Sequence, residues 1–448
     1  MIDRSMVKPY LHYVIPATIA FTLTCIYSII DGLFVGNVVG DAGLAGINVA
    51  WPIYAVVLAV GTGIGMGGAI ISSIRSGSGN TEGARRAIAH TLSLLALASI
   101  PVTIGIVLLA RPLCALFGGS GETLNQATLY LSTLAFAAPF QVMVTGCLPL
   151  LRNCGHVKYA MCASLICSVF KIMLDYTFIV VFHWGIVGAS FATVVAQAIS
   201  CCFILMFFVR KSQRMRLADF RLNTELTAQS LKLGAAPFGL TLLPELTVVA
   251  INVNAMLYGG ETAVAAYAVI SYVAYIVQIL IQGIGDGSQP LISQCYGAGK
   301  YEIVRKLRNT NFVVALSIGV VSLVVIYLLR WDIPVWFGAS AATTNMIAFA
   351  LPLFAFAYMF FGFTHISSSF FYATENTQAS SILVYGEALL VMIMATVLGF
   401  LVGILGVWSS VVVVQITLSG MALVLHHFAR IKLGLAPAHQ SVLHRRRA

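Results

Sequence analysis

The chain alternates between long apolar stretches and short polar ones. Twelve of the apolar stretches reach at least about 18 residues, the length that a helix needs to cross a bilayer. The first is expected to be a true span and not a cleaved signal peptide, because residues 9–30 carry no charge and no small-residue cleavage site interrupts them. We predict membrane-spanning helices near residues 10–38, 44–74, 87–110, 123–151, 157–182, 186–209, 233–258, 262–295, 309–329, 342–373, 379–401 and 404–428.

Two pairs of segments show that the chain repeats itself. Residues 63–86 align without a gap with residues 283–306, and nine of the 24 positions are identical. Residues 185–197 and 403–415 share six of 13 positions at nearly the same offset. We infer two copies of a unit of roughly 220 residues with six spans each. Because six is even, both copies enter the bilayer in the same direction, which predicts pseudo-two-fold symmetry about the membrane normal.

Composition agrees with this pattern. Hydrophobic residues make up 59% of the chain and charged residues 9%, and the mean hydropathy is +0.94. These polar residues are too few to cover the surface of a soluble protein of this length. We therefore predict an all-α integral membrane protein. The longest polar run, which begins at residue 210, is expected to link two lobes. The predicted parts are an N-lobe at 1–209, a cytoplasmic linker at 210–232, a C-lobe at 233–428 and a basic cytoplasmic tail at 429–448.

The basic residues predict the orientation. Loops on one side of the predicted membrane hold 22 Lys and Arg residues, whereas the other side holds only Arg111 and Arg330. By the positive-inside rule both termini are expected to be cytoplasmic, in a multi-pass protein of the cell (inner) membrane. The net charge of +10 is then a topology signal, so no nucleic-acid partner is expected. The basic tail is expected to contact anionic membrane lipids.

Several kinds of site lack a sequence signal. The nine cysteines are scattered without a C-x-x-C pair, so neither a metal site nor a disulfide framework is predicted. No Walker A sequence is present, which excludes direct use of ATP. The glycine clusters GIGMGG and GIGDGS lie inside apolar spans, where close helix packing explains them better than phosphate binding.

Ionisable residues inside the spans are the main functional candidates, since charge is expensive there. The first copy holds Asp31 in its first span, and Lys171 and Asp175 in its fifth. Lys171 and Asp175 are four residues apart, so they lie on one helical face and can pair. Three charges in one lobe cost several kcal/mol unless they meet, which favours a functional cluster.

The second copy holds a looser set of candidates. Gln278, Gln282 and Asp286 form a polar stripe at four-residue spacing, as expected for the wall of a water-filled cavity. Asp286 and Glu387 could instead lie near the ends of their spans, in head-group water. His365 could be a proton carrier or a packing residue with satisfied hydrogen bonds.

Five motifs resemble those of the multidrug and toxin extrusion (MATE) transporters, and the resemblance covers essentially the whole chain. YSIIDGLFVG follows Pro16 in the first span, and GDAGLAGINVAWP comes after it. IMLDYTFI precedes GIVGASFATVVAQ in the fifth and sixth spans. GIGDGSQPLISQCYGAGK in the eighth span is similar to the bacterial MepA-like and DinF-like branch of the family.

The resemblance implies roles for particular residues. The family's first-lobe cation site falls on Tyr27, Asp31, Asp175 and Thr193, and its bending proline in the first helix falls on Pro16. LPELTVVA resembles the stretch that carries a membrane glutamate in the NorM-like branch, which falls on Glu245. Taken alone, Tyr27 and Thr193 would be ordinary helix residues. The NorM-like acidic residue of the tenth helix is missing, since its position falls in MFFGFTHI.

The expected function is that of a transporter and not an enzyme. The resemblance implies a secondary antiporter that exports amphipathic, cationic organic compounds in exchange for protons or sodium ions, without any other cofactor. Small-molecule substrates and membrane lipids are the expected partners, and a monomer is the expected state. A lipid-linked-precursor flippase of the same superfamily stays an alternative, although it should show more basic residues in the cavity. A membrane-embedded enzyme is a third, for which no catalytic motif is found.

The chain departs from the family pattern at Lys171 as well as in the tenth helix. The family has Asn at this position, one turn before the aspartate of the fifth helix. An ammonium at that position repels a metal cation and can itself bridge Asp31 and Asp175. We therefore expect Lys171 to replace the bound metal ion, and proton coupling to be favoured over sodium coupling. The alternative is that Lys171 extends to the cytoplasmic interface, because it lies thirteen residues beyond Lys158.

Overall fold

The computed structural model describes residues 4–38, 41–211 and 217–432, and these are almost entirely helical. Helix accounts for 93% of the structure, and no strand occurs in the described ranges. The predicted all-α class is confirmed. The α-helices are α1 (Arg4–Val38), α2 (Asp41–Gly77), α3 (Thr81–Leu116), α4 (Gly121–Leu134), α5 (Ala138–Asn153), α6 (Val157–Asp175), α7 (Gly185–Lys211), α8 (Thr224–Gly297), α9 (Tyr301–Leu329), α10 (Asp332–Trp336), α11 (Ala341–Ala373), α12 (Thr377–Val402) and α13 (Ile404–Lys432).

Eleven helical segments of the described chain are long and apolar enough to cross a membrane. One of them, α8, is 74 residues long and contains two of the predicted spans. Its helical path breaks at Gly260, where φ is 67° and ψ is −163°. Glycine tolerates this positive φ because it has no Cβ atom. The break falls between the spans predicted at 233–258 and 262–295, so the two counts describe the same arrangement.

The helices group into two compact units. Pro9–Leu246 form one unit, and the other contains Thr247–Ala448 together with Met1–Lys8. Residues at the start of α8 therefore belong to the same unit as α2. The lobe limits expected from the sequence stay a prediction.

Close helix packing explains the GIGMGG cluster. A Cβ atom built on Gly65 would lie 2.3 Å from the Cα atom of Gly146, so α2 and α5 approach backbone to backbone. A Cβ atom on Gly234 would lie 2.0 Å from the carbonyl oxygen of Gly63. Small residues permit such approaches between helices in a membrane. The expectation of close helix packing is confirmed for this cluster.

A serine hydrogen bond recurs at equivalent positions of the two copies, with a side-chain acceptor in one copy and a backbone acceptor in the other. The hydroxyl of Ser73 donates to the side-chain oxygen of Asn153 at 2.5 Å. The hydroxyl of Ser293 donates to the backbone carbonyl of Ala373 at 2.8 Å. Both pairs are separated by 80 positions, and each residue lies 220 positions from its counterpart. The repeat found in the sequence is thus preserved in the internal contacts of each unit.

Candidate functional site

Three charged side chains meet within the Pro9–Leu246 unit. The Lys171 ammonium donates to the Asp31 carboxylate at 2.7 Å and to the Asp175 carboxylate at 2.5 Å. Lys171 is 3% exposed and Asp175 is fully buried, whereas the Asp31 side chain keeps 17% of its surface exposed. Asp31, Lys171 and Asp175 together form an acidic trio, which carries a net charge of −1 when every group is in its ordinary ionised form.

Two helices supply the acidic trio. Lys171 and Asp175 are one turn apart on α6, as the i, i+4 spacing predicts. Asp31 lies 140 positions earlier on α1, so the Lys171–Asp31 pair ties α1 to α6. Directly after Asp175 the helix widens into a π turn at Tyr176–Val181, a local geometry that is frequent at functional sites. Lys171 does not extend to the cytoplasmic interface.

Thr193 on α7 reaches the acidic trio through a shared backbone carbonyl. Its hydroxyl donates to the oxygen of Ala189 at 3.1 Å, and Lys171 donates to the same oxygen at 3.4 Å. The side chain of Tyr27 lies outside the part of the chain that the structure describes. Pro16 lies inside α1, where it removes one backbone hydrogen bond, and its role in bending stays a prediction.

Glu245 lies apart from the acidic trio. It is half-buried on α8, and its carboxylate interacts with the indole N–H of Trp51. Among the described side chains, no hydrogen bond or ion pair joins Glu245 to Asp31, Lys171 or Asp175. Glu245, which the resemblance linked to the NorM-like branch and not to the first-lobe cation site, thus has no direct contact with the acidic trio in the described part of the chain, and its role stays a prediction.

The second unit holds a separate polar cluster around Asp286. Its carboxylate accepts a hydrogen bond from the Tyr372 hydroxyl at 2.5 Å and one from the Gln282 amide at 3.3 Å. Asp286 is 6% exposed, so it is not a surface residue. Gln278, one turn before Gln282, is half-buried.

The two remaining candidates of this unit have different surroundings. His365 on α11 is 6% exposed, and its Nε2 atom has no hydrogen-bond partner among the described residues. Glu387 on α12 is half-buried and accepts a hydrogen bond at 2.6 Å from the Gln415 amide on α13. Sequence reasoning did not select Tyr372 or Gln415 as site residues. The signal that could have identified Tyr372 is its position seven residues, or about two helical turns, after His365.

The chain is similar to proteins of one family over most of its length. The family model MatE matches residues 16–177 and 241–397. The multidrug export protein MepA of Staphylococcus saprophyticus subsp. saprophyticus is 23% identical over 434 residues, which covers 96% of this chain and 95% of that protein. MepA of Staphylococcus aureus is 22% identical over 438 residues, which covers 95% and 94%.

Solved structures show the same fold. The outward-facing conformation of a multidrug resistance MATE family transporter of the MOP superfamily has a TM-score of 0.89 at 22% identity, over 95% of this chain and 96% of that one. A crystal structure of MATE in complex with MaL6 also has a TM-score of 0.89 at 22% identity, over 95% and 97%.

Proposed function

Since this chain belongs to the MatE family, we propose that it is a secondary active antiporter that exports amphipathic organic cations in exchange for protons. The family resemblance noted in the sequence is confirmed, and the relatives are transporters, not enzymes. The observation that carries the proposal is the position of Lys171 between the Asp31 and Asp175 carboxylates. Both termini are proposed to be cytoplasmic, in the cell membrane.

Lys171 supports proton coupling over sodium coupling. A sodium ion needs several oxygen ligands that converge on one point, and here two carboxylates already converge on the ammonium. A second cation at that point would meet the positive charge of Lys171 at short range. Protons, which need only one acceptor oxygen, are not excluded in this way.

Asp31 is the carboxylate that we expect to take up the proton. It is the more exposed of the two acids, whereas Asp175 is fully buried and shares a helix with Lys171. Protonation of Asp31 would leave a neutral Lys171–Asp175 pair on α6 and would weaken the tie between α6 and α1. Pro16 gives α1 a point at which it can then bend. Only such a difference in interaction energy can shift a protein between two conformations.

The charge of the acidic trio also supports a cationic substrate. A net charge of −1 attracts a cation, and protonation of Asp31 removes that charge. Proton and cationic substrate would thus compete for the same negative charge, as antiport by alternating access requires. Because one chain supplies all three residues, a monomer within the lipid bilayer is proposed as the working unit. The flippase alternative is less well supported, since Lys171 is neutralised by two carboxylates.

Transport in proteoliposomes tests the proposal. We expect export of a fluorescent organic cation to follow an imposed pH gradient and to be indifferent to an imposed sodium gradient. Asp31→Asn should abolish this export, and Glu302→Gln, at an exposed acid of α9, is the matched control. Export driven by sodium alone, or undiminished export by Asp31→Asn, would contradict the proposal.

A further inference from the structure

We propose that Asp219, together with Arg85 and Arg86, forms a releasable latch that holds the start of α8 against α2 and α3. These three residues are called the linker latch. The latch opens and closes as the protein changes conformation, so Asp219 is a positioning residue and not part of a substrate or ion site. That this opening belongs to a transport cycle rests on the proposed function, whereas the opening itself does not.

The linker latch joins the connection between the two copies to α3. Asp219 lies in a short 3₁₀ turn before α8 and is 6% exposed. Its carboxylate lies 3.0 Å from the Nε atom of Arg85 and 3.7 Å from the Nε atom of Arg86. Ser93, also on α3, donates to the backbone carbonyl of Phe220 at 2.9 Å. The turn is therefore fixed to α3 by charge and by a hydrogen bond.

The first turns of α8 follow the latch along the chain and pack on the same two helices. The Oγ1 atom of Thr227 lies 3.0 Å from the Nε2 atom of His90 on α3. A Cβ atom built on Gly67 of α2 would overlap the backbone carbonyl of Ser230, so the two helices touch backbone to backbone there. The linker latch thus stands at one end of a contact surface that continues along the start of α8.

This contact surface is suited to separating again. Ser230 is fully buried, yet its hydroxyl has no hydrogen-bond partner among the described residues. A buried hydroxyl without a partner costs free energy, which water returns when the surfaces separate. At the latch itself the Arg86 side chain is 61% exposed, so water and salt compete with its ion pair. The closed arrangement is opposed at Ser230 and depends on the charges of the latch.

The course of α8 gives the latch a mechanical role. Residues up to Leu246 belong to the Pro9–Leu246 unit, whereas the same helix continues from Thr247 in the other unit. A conformational change that moves one unit must therefore bend α8 or release its start. The strength of the linker latch determines how readily the start is released.

The acid of the latch is not a feature of the repeated unit. Arg85 has its counterpart in Arg305, 220 positions later, so the basic residue occurs in both copies. The counterpart position of Asp219 is His439, and residues 433–448 contain no acidic residue. Asp219 is thus an addition to the connection between the copies, which favours a specific role over a general need of helix packing.

Thiol labelling of the purified protein in lipid nanodiscs tests the latch without a gradient or a substrate. Ser230→Cys places a thiol under the closed surface, where a membrane-impermeant maleimide reacts with it only after the start of α8 separates. Ser73→Cys is the matched probe, because Ser73 is equally buried on α2 but is bonded to Asn153 of α5. Labelling is measured against the parent chain, so that the contribution of the nine native cysteines is subtracted.

We expect Ser230→Cys to react faster than Ser73→Cys in the otherwise native chain, because the latch opens. Asp219→Asn should raise the rate at Ser230→Cys on the order of tenfold, as expected for the loss of one hydrogen-bonded charge, and should leave Ser73→Cys unchanged. Asp219→Glu keeps the charge and should stay close to the native rate. Glu225→Gln removes a charge from an exposed acid of α8 and should have no effect.

The partners of Asp219 supply a second measurement. Arg85→Gln combined with Arg86→Gln should reproduce the effect of Asp219→Asn, and all three changes together should add nothing further. An unchanged rate at Ser230→Cys in the Asp219→Asn chain, or additive effects of the three changes, would overturn the proposal.

Two other results would also overturn it. Ser230→Cys that reacts no faster than Ser73→Cys in any variant would mean that the latch stays closed. An equal rise at Ser73→Cys in the Asp219→Asn chain would indicate a general loosening of the unit. None of these results depends on Asp31 or on the coupling ion, so failure of the latch is distinguishable from failure of the proposed function.

Discussion

Replacing Lys171 by asparagine is the most informative single change in this protein. The substitution removes the ammonium from between two carboxylates and introduces an amide oxygen, which is a ligand for hard cations. Asp31 and Asp175 would then face each other without a positive charge. We expect the variant to lose stability and to acquire a response to sodium that the native chain lacks.

The size of the stability loss in Lys171→Asn follows from the burial of the acidic trio. Lys171 contacts the carboxylates at 2.7 and 2.5 Å and is 3% exposed, so water replaces almost none of the lost interaction. Removing one partner of a buried ion pair destabilises a protein by about 3–5 kcal/mol. A bound ion recovers part of this loss, by about 2.7 kcal/mol when its concentration is a hundred times its dissociation constant. Protons act similarly, because one proton on either acid removes the repulsion.

Thermal unfolding of the purified protein, with sodium replaced by choline in the reference buffer, measures the change in stability. The melting temperature of Lys171→Asn should rise with sodium and with acidity, whereas that of the native chain should not depend on sodium. Lys158→Asn, at an exposed lysine of the same helix, is the control and should behave like the native chain. Transport across a sodium series at fixed pH measures the response to sodium. A native chain that is stimulated by sodium and ignores the proton gradient would refute the reasoning.

Three further predictions concern other parts of the chain. Asp31→Asn should insert normally into the membrane yet lose gradient-driven export, because its side chain cannot exchange a proton; export at the native rate would contradict this. A reporter fused at residue 448 should be active in the cytoplasm, and activity only on the opposite side would reverse the proposed orientation. Gly65→Ala should lower the free energy of unfolding by about 1–3 kcal/mol, because its methyl group would meet the backbone of Gly146. Gly105→Ala, whose methyl group would meet no atom within 4 Å, should be nearly neutral, and equal effects of the two changes would disprove the packing argument.

Much of the fold could be predicted from local sequence properties. A bilayer forces a spanning segment to satisfy its own backbone hydrogen bonds, so a long apolar stretch has little choice but helix. Helical periodicity likewise put Lys171 and Asp175 on one face, because four residues make about one turn. The small residues around Gly65 indicated close packing for the same local reason, but they did not identify Gly146 as the partner.

Contacts between distant helices were decided by the tertiary structure. Whether Lys171 met Asp31 or turned to the interface depended on how α1 packs against α6, and these residues are 140 positions apart. Asp286 could have lain in head-group water, and only the packing of α11 against α8 brought Tyr372 to its carboxylate. Hydropathy along one helix determines that a segment crosses the membrane. Which of its faces meets which neighbour depends on the shapes and polar groups of both helices, and no single segment of sequence contains that information.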